Sequence, residues 1–171
     1  MIADLTRSAW VRLPLVLAVA LALQMSVATE LRPFGVAPDL MLLLAVCGGL
    51  AAGQERGAVA GFVIGVAFDL QLQTPFGLSA LVYALTAFGL GYLRLGIERS
   101  GWLVRSLAVT GASAVAVVAY ALLGSLFGMT DVVDLGLVTI ALVVAVVNGL
   151  LTPIAYPLMR WTLTAGERVP V

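Results

Sequence analysis

Long apolar stretches follow one another along almost the whole chain, and they constrain its fold more than any other feature. From Leu13 to Met159 they are separated only by short segments that carry charges, glycines or prolines. A helix of about 20 apolar residues crosses the roughly 30 Å hydrocarbon core of a bilayer, and lipid then replaces water as its solvent. Charged residues make up 11% of the 171 residues, whereas soluble domains average about 25%. The sequence therefore predicts an all-α polytopic membrane protein.

The charged and Pro/Gly-rich segments divide the chain into six predicted transmembrane helices. Together these helices form one bundle and a single integral membrane domain over residues 1–171. The second and third spans are shorter than a full bilayer crossing, so a re-entrant hairpin is the alternative for that pair. Pro153 and Pro157 are expected to kink or end the last helix. The predicted spans cover residues 13–28, 38–53, 57–72, 76–93, 103–128 and 132–159.

The arginines predict the orientation of the helices in the membrane. With a cytoplasmic N-terminus, all nine basic residues except Arg32 lie on the inner side, where positive charge is enriched in membrane proteins. Trp10, Trp102 and Trp161 fall at the same edge, as interfacial anchors do. Both termini are therefore expected in the cytoplasm. A secretory signal cleaved after Ala28 is the alternative for the first helix, but the further apolar segments favour an uncleaved span.

The residue types that the chain lacks exclude most familiar sites. There is no histidine, so no Ser-His-Asp triad, no Cys-His pair and no imidazole metal site can form. The single cysteine, Cys47, has no partner for an intramolecular disulfide. The net charge is zero and no basic stripe is present, which argues against nucleic-acid binding. We predict no catalytic, cofactor or metal site. An intramembrane enzyme would need Asp39 and Asp69 as its acid pair.

Three glycines, Gly57, Gly61 and Gly65, recur every four residues in the third predicted helix. Small residues at this spacing form a groove and let another backbone approach closely. The groove is either a docking surface for a partner helix or a packing surface within the bundle. The second interpretation is favoured, because a six-helix protein must first bury its own small-residue faces.

Few polar residues lie within or next to the apolar segments, and one of them, Asp69, has two interpretations. Asp69 continues the glycine spacing into the outer half of the membrane, where ionisable groups usually indicate function. Alternatively, Asp69 acts with Gln71 and Gln73 to satisfy backbone groups where the third helix ends. Asn148 is expected to form an interhelical hydrogen bond in the sixth helix. Asp39 is placed, with the two glutamines, on the predicted outer face.

Residues 54–94 contain Gly61-Phe62, Gly65, Asp69, Gly77-Leu78, Ala80-Leu81, Tyr83 and Tyr92, and Pro38-Asp39-Leu40 opens the second predicted helix. This pattern resembles that of a known family, the rod shape-determining protein MreD family. The resemblance implies a noncatalytic scaffold subunit of the bacterial elongation (rod) complex in the cytoplasmic membrane, where it supports cell shape and peptidoglycan synthesis. The implied partners are an MreC-like single-pass protein, a RodA-type glycosyltransferase with its penicillin-binding transpeptidase, and the MreB cytoskeleton.

The family is also similar in architecture to the substrate-binding subunits of energy-coupling-factor transporters. This similarity supplies an alternative function, the substrate-binding membrane subunit of a vitamin or metal transporter. The alternative predicts a cavity that opens outward and is lined by aromatic and polar groups from several helices. On that side the sequence offers Asp39, Asp69, Gln71 and Gln73 but little aromatic material.

Overall fold

The computed structural model describes residues 9–30, 33–71, 75–129 and 135–164. Within these ranges the chain forms seven α-helices and no strand, which confirms the all-α prediction. A short 3-10 turn, Pro33–Gly35, precedes the second helix. The helices are α1 (Ala9–Glu30), α2 (Leu40–Ala52), α3 (Gln54–Asp69), α4 (Leu78–Tyr92), α5 (Arg94–Glu98), α6 (Trp102–Leu126) and α7 (Leu135–Leu163).

The six long helices coincide with the six predicted apolar segments but differ from them at their ends. The short helix α5 was not predicted, and α1 begins at Ala9 rather than Leu13. Of the two effects expected of Pro153 and Pro157, an end of the helix does not occur, because α7 contains both and continues to Leu163; a kink stays a prediction. Membrane helices tolerate proline where hydroxyl groups and neighbouring helices satisfy the freed backbone groups.

Helix α2 is the centre of the bundle. Every residue from Met41 to Ala51 is buried, and α2 contacts all the other α-helices of the described chain. A helix that is apolar on all sides is expected in such a position. Its start is fixed by Asp39, whose side chain accepts a hydrogen bond from the backbone N–H of Leu42 at 2.8 Å. This contact is an N-terminal cap, and it leaves Asp39 at one end of the bundle.

Helices α2, α3 and α4 form two consecutive hairpins. A single residue, Gly53, separates α2 from α3, and its φ of 87° lies in the left-handed region. Glycine adopts this conformation without steric cost. As a result α3 turns back directly along α2, and it then packs against α4.

The outer surface of the protein is apolar. Large apolar side chains are exposed on every described helix except α2; Leu107 and Leu150, for example, are 69% and 74% exposed. Apolar surface of this extent indicates contact with lipid or with other proteins. Two helical segments in the described chain, Trp102–Leu126 and Gly136–Leu163, are long and apolar enough to cross a membrane. The other apolar helical segments found there are shorter, so the count of six spans stays a prediction.

Candidate functional site

The glycine seam of α3 consists of Gly57, Gly61 and Gly65, and it faces other helices of the same chain. A methyl group added at Gly57 would overlap the Cα atom of Gly49 in α2. One added at Gly61 would lie 2.8 Å from a backbone carbonyl oxygen of α4, and one at Gly65 would overlap the Cα atom of Ala80. The seam is therefore filled by the backbones of α2 and α4.

Two further glycines, Gly49 of α2 and Gly91 of α4, extend this packing. The four-residue spacing in α3 does not predict them, because they lie in other helices. A methyl group at Gly49 would overlap the backbone carbonyl of Ala87 in α4. One at Gly91 of α4 would lie 2.6 Å from the backbone nitrogen of Gln54, the first residue of α3. Small residues allow this close approach of helices. Helices α2, α3 and α4 are therefore in contact backbone to backbone.

Asp69 is the last residue of α3, and its carboxylate caps the start of α4. Oδ2 accepts hydrogen bonds from the backbone N–H groups of Gly77 at 2.9 Å and Ala80 at 3.2 Å. Oδ1 accepts one from the N–H of Ser79 at 3.1 Å. The first N–H groups of a helix have no partner within it, and an anion there is also stabilised by the helix dipole. Asp69 is buried, and its contacts favour the structural interpretation.

A second carboxylate, Asp39, connects α2 to α4. While its Oδ1 caps α2, its Oδ2 accepts a hydrogen bond from the hydroxyl of Tyr83 at 2.7 Å. Tyr83 itself is buried. The two carboxylates thus cap different helices: Asp39 caps the start of α2 and Asp69 caps the start of α4. The sequence identified Asp39 as a polar residue, but it did not indicate the contact with Tyr83.

Gln24 of α1 is a buried polar residue that the sequence analysis did not select. Its side-chain N–H donates to the carbonyl of Pro38 at 2.8 Å, and its side-chain oxygen accepts from the N–H of Leu40 at 2.9 Å. Both contacts fall on the residues that flank Asp39. A single glutamine in the otherwise apolar run from Leu13 to Met25 is the signal that could have indicated it, since buried amides need hydrogen-bond partners.

Gln24, Asp39 and Tyr83 border a cavity of about 280 Å³, whereas Asp69 does not line it. All six long helices contribute to its wall, which includes the aromatic residues Phe68, Tyr83 and Tyr120. The rings of Phe68 and Tyr83 are stacked, with their centroids 6.2 Å apart. The expectation of little aromatic material at this end is therefore wrong, because the three rings come from three different helices and meet only in the folded chain.

The remaining predicted polar residues lie apart from this cavity. Asn148 is fully buried in α7 and donates from its side-chain nitrogen to the hydroxyl of Ser113 in α6 at 3.0 Å. Gln71 is exposed just after α3, and Gln73 lies outside the described residues. In the described part of the chain, no cluster of three or more acidic, cysteine or histidine side chains could hold a metal ion.

Charged side chains gather at the other end of the bundle. Arg94 and Glu98 form an ion pair of 2.9 Å within α5, and Glu98 also accepts a hydrogen bond from the hydroxyl of Tyr156 at 3.0 Å. The guanidinium of Arg12 lies 4.2 Å from the ring centroid of Trp161 and donates to the backbone carbonyl of that residue. Cations and aromatic rings together are typical of a membrane interface.

Comparison with known proteins gives a family for this chain. A family model described as rod shape-determining protein MreD matches residues 6–162. No curated protein and no solved structure matches. The matched range contains the glycine seam, Asp39, Asp69 and every residue of the cavity wall. Because the match extends over nearly the entire length, the chain belongs to the MreD family of rod shape-determining proteins.

Proposed function

We propose that this chain is a noncatalytic scaffold subunit of the bacterial elongation complex and supports cell shape and peptidoglycan synthesis by binding other membrane proteins. The family match carries the proposal. MreD proteins are non-enzymatic, shape-determining membrane proteins and belong to the MreBCD system. The proposed partners are an MreC-like single-pass protein, a RodA-type glycosyltransferase with its transpeptidase, and MreB.

The distribution of polar groups supports a role in lateral contact within the membrane. The oxygens of Asp39 and Asp69 accept hydrogen bonds from the same chain, and the glycine seam faces α2 and α4. The perimeter is instead apolar, with large side chains such as Leu15 of α1 and Leu107 of α6 exposed. We therefore infer that partners bind to this apolar perimeter rather than to the glycine seam.

The proposal includes six membrane crossings, formed by all the α-helices except α5, with both termini in the cytoplasm. The end of the bundle that carries Arg12 and Arg94 would face the cytoplasm, according to the positive-inside rule. The end that carries Asp39 and Asp69 would face outward. Helix α2 has only 13 residues, but it is surrounded by protein, so lipid thickness does not set its length.

Labelling of single cysteines with a membrane-impermeant thiol reagent tests this orientation. The native Cys47 is fully buried and should give little background. A cysteine in place of Glu55 or Arg99, which are both exposed at the arginine-rich end, should react only after the cells are permeabilised. A cysteine in place of Phe76, which is 67% exposed between α3 and α4, should react in intact cells. Labelling at Glu55 in intact cells would contradict the orientation.

Depletion of the protein in its own bacterium tests the scaffold role. Rod-shaped cells should become round or wide, and they should recover when the wild-type chain is expressed again. The proposed partners should co-purify with the intact protein in mild detergent. Normal shape after depletion, together with lost uptake of a vitamin or metal ion, would favour the transporter alternative.

A further inference from the structure

The cavity next to Asp39 combines a carboxylate with a wall whose described residues include no basic side chain. Oδ1 of Asp39 accepts from the N–H of Leu42 and Oδ2 from the hydroxyl of Tyr83, and both donors are neutral. An ionised carboxylate has about four acceptor sites, so these two bonds leave capacity for a further donor. When Asp39 is ionised, no described residue of the cavity wall therefore carries a positive charge to balance it.

Aromatic rings form the other distinctive part of the wall. Phe68 and Tyr83 are stacked, and Tyr120 of α6 lies on the same cavity. Aromatic faces attract cations at distances up to about 6 Å, and groups of aromatic side chains recognise ammonium ions in this way. A carboxylate together with three rings is thus suited to an organic cation. A metal ion fits less well, since Ca²⁺ or Mg²⁺ requires about six oxygen ligands.

We propose that this cavity binds a small organic ammonium ion, with its positive charge between Asp39 and the aromatic rings. The volume of about 280 Å³ lies just below the range of roughly 300–1,000 Å³ typical of small-molecule sites. The ligand therefore has few carbon atoms. This site is independent of the scaffold role, which uses the apolar perimeter.

Calorimetry of the purified full chain in detergent tests the proposal. The two ligands are choline, a quaternary ammonium, and ethanolamine, a primary ammonium. At least one of them should bind saturably. The uncharged analogue of choline, in which carbon replaces nitrogen, should bind at least tenfold more weakly. Asp39→Asn should also weaken binding at least tenfold, while asparagine still caps α2. Glu98→Gln is the matched control, because it removes the same charge at the opposite end of the bundle, and it should leave the affinity unchanged.

Three results would overturn the ammonium site. They are the failure of both ammonium compounds to bind the wild-type chain, equal binding of the uncharged analogue, and wild-type affinity in Asp39→Asn. If Asp39→Asn does not fold, Tyr120→Leu provides the decisive measurement, because it removes one ring and keeps the carboxylate. That variant should bind about threefold more weakly or worse, consistent with the loss of one cation–π contact. Unchanged affinity would then contradict the proposal.

Discussion

Replacing Gly65 with alanine is expected to destabilise the folded protein by about 3 kcal/mol, near the upper end of what overpacking usually costs. The added methyl group would overlap the backbone of Ala80. A backbone atom cannot rotate away as a side chain can, so α3 and α4 would have to separate along the seam. Thermal unfolding of the purified protein in detergent, followed by circular dichroism, measures the effect.

Gly89→Ala is the matched control for this prediction. Gly89 also lies within a helix, but a methyl group added there meets no other atom within 4 Å. Alanine favours a helix over glycine by about 0.5–1 kcal/mol, so stability should stay the same or rise slightly. Equal effects at the two positions would contradict the steric explanation. If Gly65→Ala keeps its stability but loses binding to an MreC-like partner, the seam is a docking surface after all.

Replacing Asp69 with leucine is expected to lower stability by about 3 kcal/mol or more. The change leaves three buried or partly buried backbone N–H groups without their acceptor, those of Gly77, Ser79 and Ala80. Each unsatisfied donor costs about 1–3 kcal/mol, and the N–H groups of Ser79 and Ala80 are buried, so water cannot readily replace the carboxylate. Denaturant unfolding in detergent and the yield of folded protein both measure this loss.

Asparagine at position 69 should give an intermediate stability. Asparagine keeps one acceptor oxygen. Its NH₂ group replaces the second oxygen, which in the wild type accepts from a backbone N–H, so two donors would face each other. Gln71→Leu is the control, because it removes a polar side chain that is exposed at the end of the same helix, and it should have little effect. Stability of Asp69→Leu equal to that of the wild type would contradict the capping role.

Features that depend on local sequence could be predicted, whereas those that depend on how helices meet could not. The positions of the long helices follow from the apolar runs; α6, for example, begins at Trp102, one residue from the predicted start. The contact surface of Gly57, Gly61 and Gly65 follows from their spacing. The hydrogen bonds of Gln24 do not, because its partners lie beyond the end of α1 and their position depends on how α1 crosses α2.

The cavity is the clearest case of a feature that the sequence does not indicate. Phe68, Tyr83 and Tyr120 are separated along the chain and occupy α3, α4 and α6. Taken alone, an aromatic residue in any of these helices is equally compatible with lipid contact or with packing in the core. Only the arrangement of the helices places all three rings beside Asp39. The sequence therefore indicates the carboxylate of Asp39 but not the aromatic residues of the cavity wall.

The central position of α2 also has a consequence for how the protein is made. The ribosome produces α2 early, yet one side of α2 is covered by α7, the last helix of the described chain. Met159, near the end of α7, is fully buried against this core. Until synthesis reaches that residue, part of α2 stays open to lipid. A chain that stops before α7 therefore cannot complete its core, and it leaves apolar residues of α2 exposed that the finished protein buries.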